Sequence, residues 1–557
     1  MRLKILHKYL TILVVILMIG TTNDGLAVSL FKEVDALLKR RIEAIGIGPN
    51  VTIKGEKLDV ADGLPDFYRA RNYAPAWTDD FGVLPHALSL VRAIQQSDRE
   101  GLRPEDYWYP QIVEMLKATR QRRPKRDLLQ PPVIVDLELL LANAFLTYGS
   151  HLLHGKLDPQ KFHPAWIVNL PDPSLSAELQ NAIDKERVPF LLKSLKSTQS
   201  GYLALRKALA AYRRIENRGG WPAIPKGPTL REGSSGPRIL KLRSRLRVTG
   251  DIKPAKEKAL TPELFDIGLT EAVINFQSRH GLSADGVIGP ATLAVLRIPV
   301  EEQITRIEIN LERMRWLPKA QETDHLLVNI PDHTLKVLNT GQIVTKMSVV
   351  VGRPERHTPI LKDQVTDVVF NPHWYVPPTI LKHDLLPRVK ENPDYLKNLK
   401  IRVLQPQDGE AWELDTATID WDQLDKFKPP LQFRQDAGPE NFLGRFKFIL
   451  SNELDIYLHD TSYHAQFKGH ELNLSSGCIR LEDPMHLADY LLKNDPYWDA
   501  ERITRAVASG APRKVTLSEP FPVYVVYWTA WVDINGIVQF RPDIYDFDGA
   551  VIAALSR

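Results

Sequence analysis

The hydrophobic pattern changes period partway along the chain. From about Leu30 to Pro225, apolar residues recur at helical spacing, as in Phe31, Val34, Leu38 and Ile42. Val133 to Tyr148 carries Leu137, Leu140, Leu141, Ala144 and Phe145, and Leu191 to Arg214 repeats the pattern. Prolines and short polar clusters separate these runs, which predicts a set of packed helices. Pro222 to Ser235 is rich in Pro, Gly and Ser and reads as a linker. A small helical module follows. Ile239, Leu242 and Leu246 mark its first helix; Thr270 to His280 marks its second, with Thr270 as N-cap and Gly281 as stop. The turns Asp285-Gly286 and Gly289-Pro290 introduce a third, and Lys253 to Glu263 reads as an insertion.

A helix from about Glu302 leads into alternation of period two. His325 to Ile330, Thr334 to Asn339, Ile343 to Val351 and Val365 to Phe370 read as strands, as do Phe446, Phe448 and Leu450. Asp455 to His459 reads as the next, joined by a turn at Ser451-Asn452-Glu453. Between Thr379 and about Leu443 lies a charged, proline-containing insertion; a segment that long inside a β domain reads as a lid or subdomain. Asp483 and Pro484 open a helix. Val515 to Leu517 and Val523 to Trp531 read as two late strands, and Asn535-Gly536 as a hairpin leading to Phe540. The expected fold is multidomain α+β: a helical domain over 28–225, a small three-helix domain over 226–300, and a mainly β domain over 301–557 with an insertion at about 379–443.

Composition narrows the function. The chain has 557 residues, 43% of them hydrophobic and 25% charged, which suits several globular domains. A formal net charge of +4 is too small to point to nucleic acid. The cluster Arg120, Arg122, Arg123, Lys125 and Arg126, beside Pro124, reads as a solvated loop. Residues 1–27 read as an export signal, with Arg2, Lys4, His7 and Lys8 before the apolar run Leu10 to Ile19 and small residues at Gly25-Leu26-Ala27. The run falls short of the ~20 apolar residues a spanning helix needs. A cleaved signal peptide is the first reading, and an uncleaved anchor in contact with the inner membrane is the second. No metal-ligand, Walker or dinucleotide pattern occurs, so no metal and no cofactor is expected. His151 and His154, three residues apart, read as the end of a helix.

The candidate chemistry lies late in the chain. Cys478 is its only cysteine, so no internal disulfide is available. It is either a small buried hydrophobe or a reagent. In an exported protein a free thiol is a liability unless it is used. Gly477 before it lets a substrate approach the backbone. In Ile456-Tyr457-Leu458-His459, period two places Tyr457 and His459 on one face. A thiol with an imidazole base suffices for nucleophilic acyl transfer, with the amides around Gly477 and Cys478 as oxyanion donors. His464 and His470 are rival bases, and His357 reads as a loop histidine. Ser475 and Ser476 donate to substrate or hold the turn. Arg480 binds a carboxylate or braces the loop; Trp374 packs on substrate or closes the core; Tyr457 hydrogen-bonds in the cleft. A backbone carbonyl is the available orienter for the imidazole.

His459-Asp460-Thr461 together with Ser475-Ser476-Gly477-Cys478-Ile479-Arg480 resembles the signature of L,D-transpeptidases with a YkuD-type catalytic domain, in the spacing of larger Gram-negative members. Gly352 to Pro359 and Asn371 to Pro378 resemble further stretches of that family. Ala284 to Leu293 resembles a peptidoglycan-binding module, and Phe67 to Trp77 and His154 to Pro159 resemble the helical scaffold of long periplasmic members. Ser476 departs from the pattern, because many members carry histidine there. The resemblance implies a periplasmic enzyme in which the insertion caps the active site. Cys478 would attack the third residue of a tetrapeptide stem of peptidoglycan, release D-alanine, and form 3→3 cross-links. It also implies acylation by carbapenems. A same-fold thiol hydrolase and a non-catalytic wall-binding scaffold are the alternatives.

Overall fold

The computed structural model describes residues 32–45, 51–79, 82–121, 130–168, 174–252, 261–319, 324–392, 394–407, 410–469 and 471–556. The export signal, Phe31, most of the basic cluster (Arg122, Arg123, Lys125 and Arg126), residues 253–260 of the expected insertion and the rival base His470 lie outside the described residues.

The N-terminal region is helical and centres on α1, Pro131–His154. Prolines in its first turn set φ for helix entry, and Gly155, at φ 91°, ends it. The helix is long and apolar enough to cross a membrane, yet most of it is buried within the protein, against Leu38, Phe67, Trp77 and Leu90 among others. His151 at its end meets the Tyr107 hydroxyl at 3.1 Å. At the centre of this core Glu138 is fully buried and accepts hydrogen bonds from the amides of Ala76 and Trp77 (both 2.8 Å), Thr78 Oγ1 (2.6 Å) and Tyr68 Oη (3.0 Å). Helix α2, Ser200–Glu216, leaves this region and packs on a later helix.

Three helices, α3 Pro237–Val248, α4 Ile267–Arg279 and α5 Pro290–Leu296, enclose Leu242, Leu246, Phe265, Val273 and Phe276. The N-cap of α4 is Asp266, not Thr270. The Asp266 carboxylate accepts from the Leu269 amide at 2.9 Å, which draws the helix start forward and places Thr270 inside it. The Pro/Gly-rich linker is partly tied down, since Leu230 exchanges both backbone hydrogen bonds with Ile288. Helix α6, Val300–Arg315, then packs against α2 and enters the β domain.

That domain is built on a nine-stranded sheet. In chain order its strands are β1 Asp324–Asn329, β2 Thr334–Asn339, β3 Gln342–Gly352 and β4 Leu361–Phe370. An inserted group follows, with β5 Trp374–Tyr375, β6 Ile401–Gln407, β7 Glu410–Leu414 and β8 Gln432–Gln435. The main sheet resumes with β9 Phe446–Leu450, β10 Leu458–His459, β11 Asn473–Ser475, β12 Ile479–Leu481 and β13 Arg513–Val526. Its order is β11–β3–β12–β10–β9–β4–β13–β1–β2, and β3 also pairs with β2, closing the sheet on itself. Phe446, Phe448, Leu450 and Leu458 point into the enclosed core.

Two expectations change. The strand expected over 455–459 shortens to Leu458–His459, because Asp455 adopts φ 55° and Asn452 Oδ1 accepts from the Leu454 amide (2.9 Å), folding the approach into a loop and not a tight hairpin. The two late strands begin as one, β13, with a register shift between Thr516 and Phe521. The chain then breaks before the short hairpin strands Ala530–Val532 and Val538–Phe540.

The insertion forms its own sheet in the order β7–β6–β8–β5, with a core of Trp374, Leu385, Val389, Leu396, Ile401, Val403 and Phe433. Tyr457 from the barrel joins this core, and Cys478 packs against it. The cap is therefore a folded subdomain seated on the face that carries the candidate site.

Candidate active site

The register of two parallel strands assembles the site. Leu458 pairs with Ile479 and His459 with Arg480, which sets Tyr457 level with Cys478. Alternation sends Leu458 and Ile479 into the barrel and turns Tyr457, His459, Cys478 and Arg480 to the opposite face, where Tyr457 and Cys478 meet the cap core.

The nucleophile turn is held from several sides. Gly477 has φ +118°, a backbone conformation that favours glycine, and a Cβ there would press on Ile456 Cδ1 at 3.2 Å. Ser475 Oγ donates to the Cys478 carbonyl at 2.6 Å and accepts from the Gly477 amide at 3.1 Å. Thr358 Oγ1 donates to the Gly477 carbonyl at 2.7 Å and accepts from the Gly352 amide at 2.8 Å. Tyr545 braces that loop in turn, donating to the Gly352 carbonyl at 2.6 Å. Ser476 Oγ accepts from Arg356, which also pairs with Asp384 of the cap. Ser475 thus holds the turn, and Ser476 ties it to the cap.

The two amides expected to donate to an oxyanion differ in their hydrogen bonding. The Gly477 amide is occupied by Ser475, whereas the Cys478 amide makes no hydrogen bond among the described residues.

The half-buried thiol of Cys478 faces the Asp455 carbonyl at 3.5 Å and lies in hydrogen-bond contact with Tyr457. Burial pushes its pKa up, against the opposing influence of Tyr457, Lys447 and Arg480. His459 is buried, and its Nδ1 donates to the Asp460 carbonyl at 2.5 Å, an assignment that leaves Nε2 free to accept a proton. Burial and then the Arg480 charge push His459 down to about 3, so the imidazole is neutral. No hydrogen bond joins the imidazole and the thiol; strand register places them on one face, where the Tyr457 and His459 rings lie 5.6 Å apart. The rival base His464 is turned to Asp460, 3.1 Å from its carboxylate. His357 stacks on Tyr545 at 4.3 Å, away from proton transfer.

Trp374 is buried in the cap core, edge-on to Phe442, and its indole reaches the Tyr457 hydroxyl. It closes that core and does not present a free face. Arg480 Nη1 donates to Gln466 Oε1 at 2.9 Å, bracing the loop before the nucleophile, while its buried Nε has no hydrogen-bond partner among the described residues. Lys447 escaped the sequence reading. It sits opposite His459 across the β9–β10 pair, with Nζ 3.8 Å from the centroid of the Tyr457 ring. Its signal was available, as a lysine between the inward Phe446 and Phe448 faces the same side as His459. Thr358 lies in the Gly352 to Pro359 stretch singled out above, whereas Tyr545 had no such signal. Among the described residues no group of three or more metal-ligating side chains occurs.

Residues 323–503 match the family described as "L,D-transpeptidase catalytic domain" (YkuD), residues 235–296 a "putative peptidoglycan binding domain", and residues 62–209 a "scaffold domain". A "Putative L,D-transpeptidase" of Haemophilus influenzae is 34% identical over 249 residues, which are 44% of this chain and 49% of the relative. The chain thus spans about half the length of that curated relative. An L,D-transpeptidase structure from Mycobacterium smegmatis is 13% identical, with 37% of this chain and 58% of the other covered at a TM-score of 0.18. A fragment from Xylanimonas cellulosilytica is 13% identical over 54% of this chain and all of its own, at 0.16. An LD transpeptidase in complex with imipenem is 12% identical over 37% and 59%, at 0.18. At these TM-scores no residue correspondence follows.

Proposed function

We propose, for a chain that carries a YkuD L,D-transpeptidase catalytic domain together with a scaffold and a peptidoglycan-binding domain, that Cys478 performs acyl transfer on peptide stems of the cell wall. The observation that carries this reading is the shared face of Cys478, Tyr457, His459 and Arg480 beneath the cap. The pair rests as neutral thiol and neutral imidazole, so His459 acts as general base during attack and no preformed ion pair is required. His459 Nε2 takes the thiol proton as sulfur adds to the carbonyl of the third stem residue. The Cys478 amide receives the oxyanion. The imidazolium returns the proton to the leaving amine, and D-alanine departs. A side-chain amine of a neighbouring stem then attacks the thioester and loses its proton to His459, giving a 3→3 cross-link and the free thiol. The cap excludes water from the thioester, which favours an amine over hydrolysis. The three-helix module would hold the chain on peptidoglycan in the periplasm. A carbapenem would acylate the same thiol by opening of its β-lactam ring.

Intact-protein mass spectrometry tests this with wild type and Cys478→Ala, each incubated with a disaccharide-tetrapeptide and with a carbapenem. An acyl adduct on wild type alone, with dimers linked between two diamino acids, is expected. An adduct accompanied only by shortened stems makes the protein a thiol hydrolase. No adduct, with wall binding intact, leaves a scaffold.

A further inference from the structure

The match to the catalytic domain ends at residue 503, yet a side chain from beyond it reaches the loop that supports the nucleophile. Tyr545 lies just before the C-terminal helix, Phe547–Leu555. Its hydroxyl donates to the Gly352 carbonyl at 2.6 Å and accepts from the Thr358 amide at 3.3 Å, so one phenol fastens both ends of the loop between them. The loop is tight: a Cβ at Gly352 would meet the Arg356 carbonyl oxygen at 2.2 Å. Tyr545 is itself held, since its amide donates to the Tyr527 hydroxyl at 2.9 Å. The helix behind it is gripped by the helical region, where Lys156 Nζ donates to the Leu555 carbonyl at 3.1 Å and Arg103 Nη1 to the Ser556 carbonyl at 3.2 Å. None of these bonds is required by the proton transfers described above.

Thr358 carries the constraint on to the turn. It is fully buried. The Gly352 amide can only donate, so the Thr358 hydroxyl accepts there at 2.8 Å, and its single proton goes to the Gly477 carbonyl at 2.7 Å. That carbonyl and the Cys478 amide belong to one planar trans peptide, in which C=O and N–H point in opposite directions. Pinning the oxygen on Thr358 therefore aims the Cys478 N–H away from it. Without the pin, the freedom of a glycine at φ +118° leaves that plane able to turn. We infer that Thr358 and Tyr545 are positioning residues that hold the Gly477–Cys478 peptide with its N–H aimed at the developing oxyanion. This rests on the acyl transfer proposed above. A donor aimed in advance costs no reorientation at the moment of reaction. The nucleophile turn thus takes part of its geometry from a segment outside the matched domain.

The test measures acylation of Cys478 by a tetrapeptide and by a carbapenem, followed by mass spectrometry, in wild type, Thr358→Val, Thr358→Ser, Tyr545→Phe and the double variant Thr358→Val/Tyr545→Phe. Alkylation by iodoacetamide, which forms no oxyanion, is measured beside it. Thr358→Val should slow acylation by about 10- to 100-fold, up to the worth of one oxyanion donor, through the maximal rate and not the half-saturating concentration. Thr358→Ser should recover most of the loss. Tyr545→Phe should cause a smaller fall, and the double variant should be no slower than Thr358→Val, because both act through one bond. Iodoacetamide should alkylate all of them at the wild-type rate. An equal fall in acylation and alkylation, or a serine variant as slow as valine, overturns the positioning role. Full additivity in the double variant removes Tyr545 from it. If Thr358→Val does not fold, Tyr545→Phe decides alone: acylation that does not fall overturns the role. If wild type takes no acyl group, the transfer reading fails, and the peptide is followed directly. The chain has one cysteine, so labelling with ¹⁵N-cysteine gives a single amide signal, that of Cys478. Thr358→Val should shift that signal and Thr358→Ser restore it; a signal unmoved by valine sinks the positioning.

Discussion

Glu138 in the helical region and Cys478 in the β domain both head buried polar clusters, and the two are opposite in kind. Around Glu138 the donors match the acceptor: two amides, a threonine hydroxyl and a tyrosine hydroxyl converge on one carboxylate. Burial alone would raise that carboxyl, and the hydrogen bonds oppose it. Around Cys478 the structural bonds are equally complete in the turn, through Ser475 and Thr358, but stop at the groups that face the cap. The Cys478 amide, His459 Nε2 and Arg480 Nε have no hydrogen-bond partner among the described residues. A matched cluster stabilises a fold; an unmatched one, held by matched supports, is where a substrate supplies the missing partners.

The contrast is broken most directly at the nucleophile. Cys478→Ala should abolish acyl adducts without lowering the thermal unfolding midpoint appreciably; residual acylation detected by mass spectrometry would place the chemistry elsewhere. His459→Gln comes next and should lower acylation by about 10²–10⁴-fold, the usual worth of a general base. Because wild-type His459 is pushed down to about 3, kcat/KM should stay flat from pH 8 to pH 5, and a fall centred near the ordinary imidazole value would contradict its burial.

The same shift has a stability sign. An unfolded imidazole titrates near ~6.5. Between there and about 3 the unfolded chain binds a proton that folded His459 refuses, so stability falls as pH drops through that window. His151, His163 and His333, each pushed down to about 4 chiefly by burial, add to it with the same sign. The midpoint measured by circular dichroism should decline steadily from pH 7 to pH 4. Glu138→Gln sharpens the comparison from the other side. It turns an acceptor into a partial donor facing donors, and should cost about 1–3 kcal/mol of stability with thiol alkylation unchanged in the folded protein. Smallest is Ser475→Ala, which removes two hydrogen bonds from the turn and should cost about 1 kcal/mol in denaturant unfolding while slowing acylation.

Local order was legible where it rests on period and punctuation. The helical and strand halves, the Asp483 cap with its 3.1 Å bond to the His486 amide, and the shared face of Tyr457 and His459 all follow from neighbours along the chain. Thr270 misled because two capping residues compete four positions apart, and only the packed helix start decides between them. The strand before His459 was read too long because the αL turn at Asp455 has no period to betray it.

The sequence by itself determined that one thiol, one imidazole and an arginine would meet on a β scaffold beside a long insertion. Tertiary structure decided what surrounds them. That the insertion is a four-stranded subdomain, that Lys447 stands opposite His459, and that Tyr545 supports the nucleophile loop through Gly352 all depend on pairing between distant segments. The reason is physical. Periodicity reports which face a side chain takes, but register across strands and closure of the barrel decide which other side chain waits on that face.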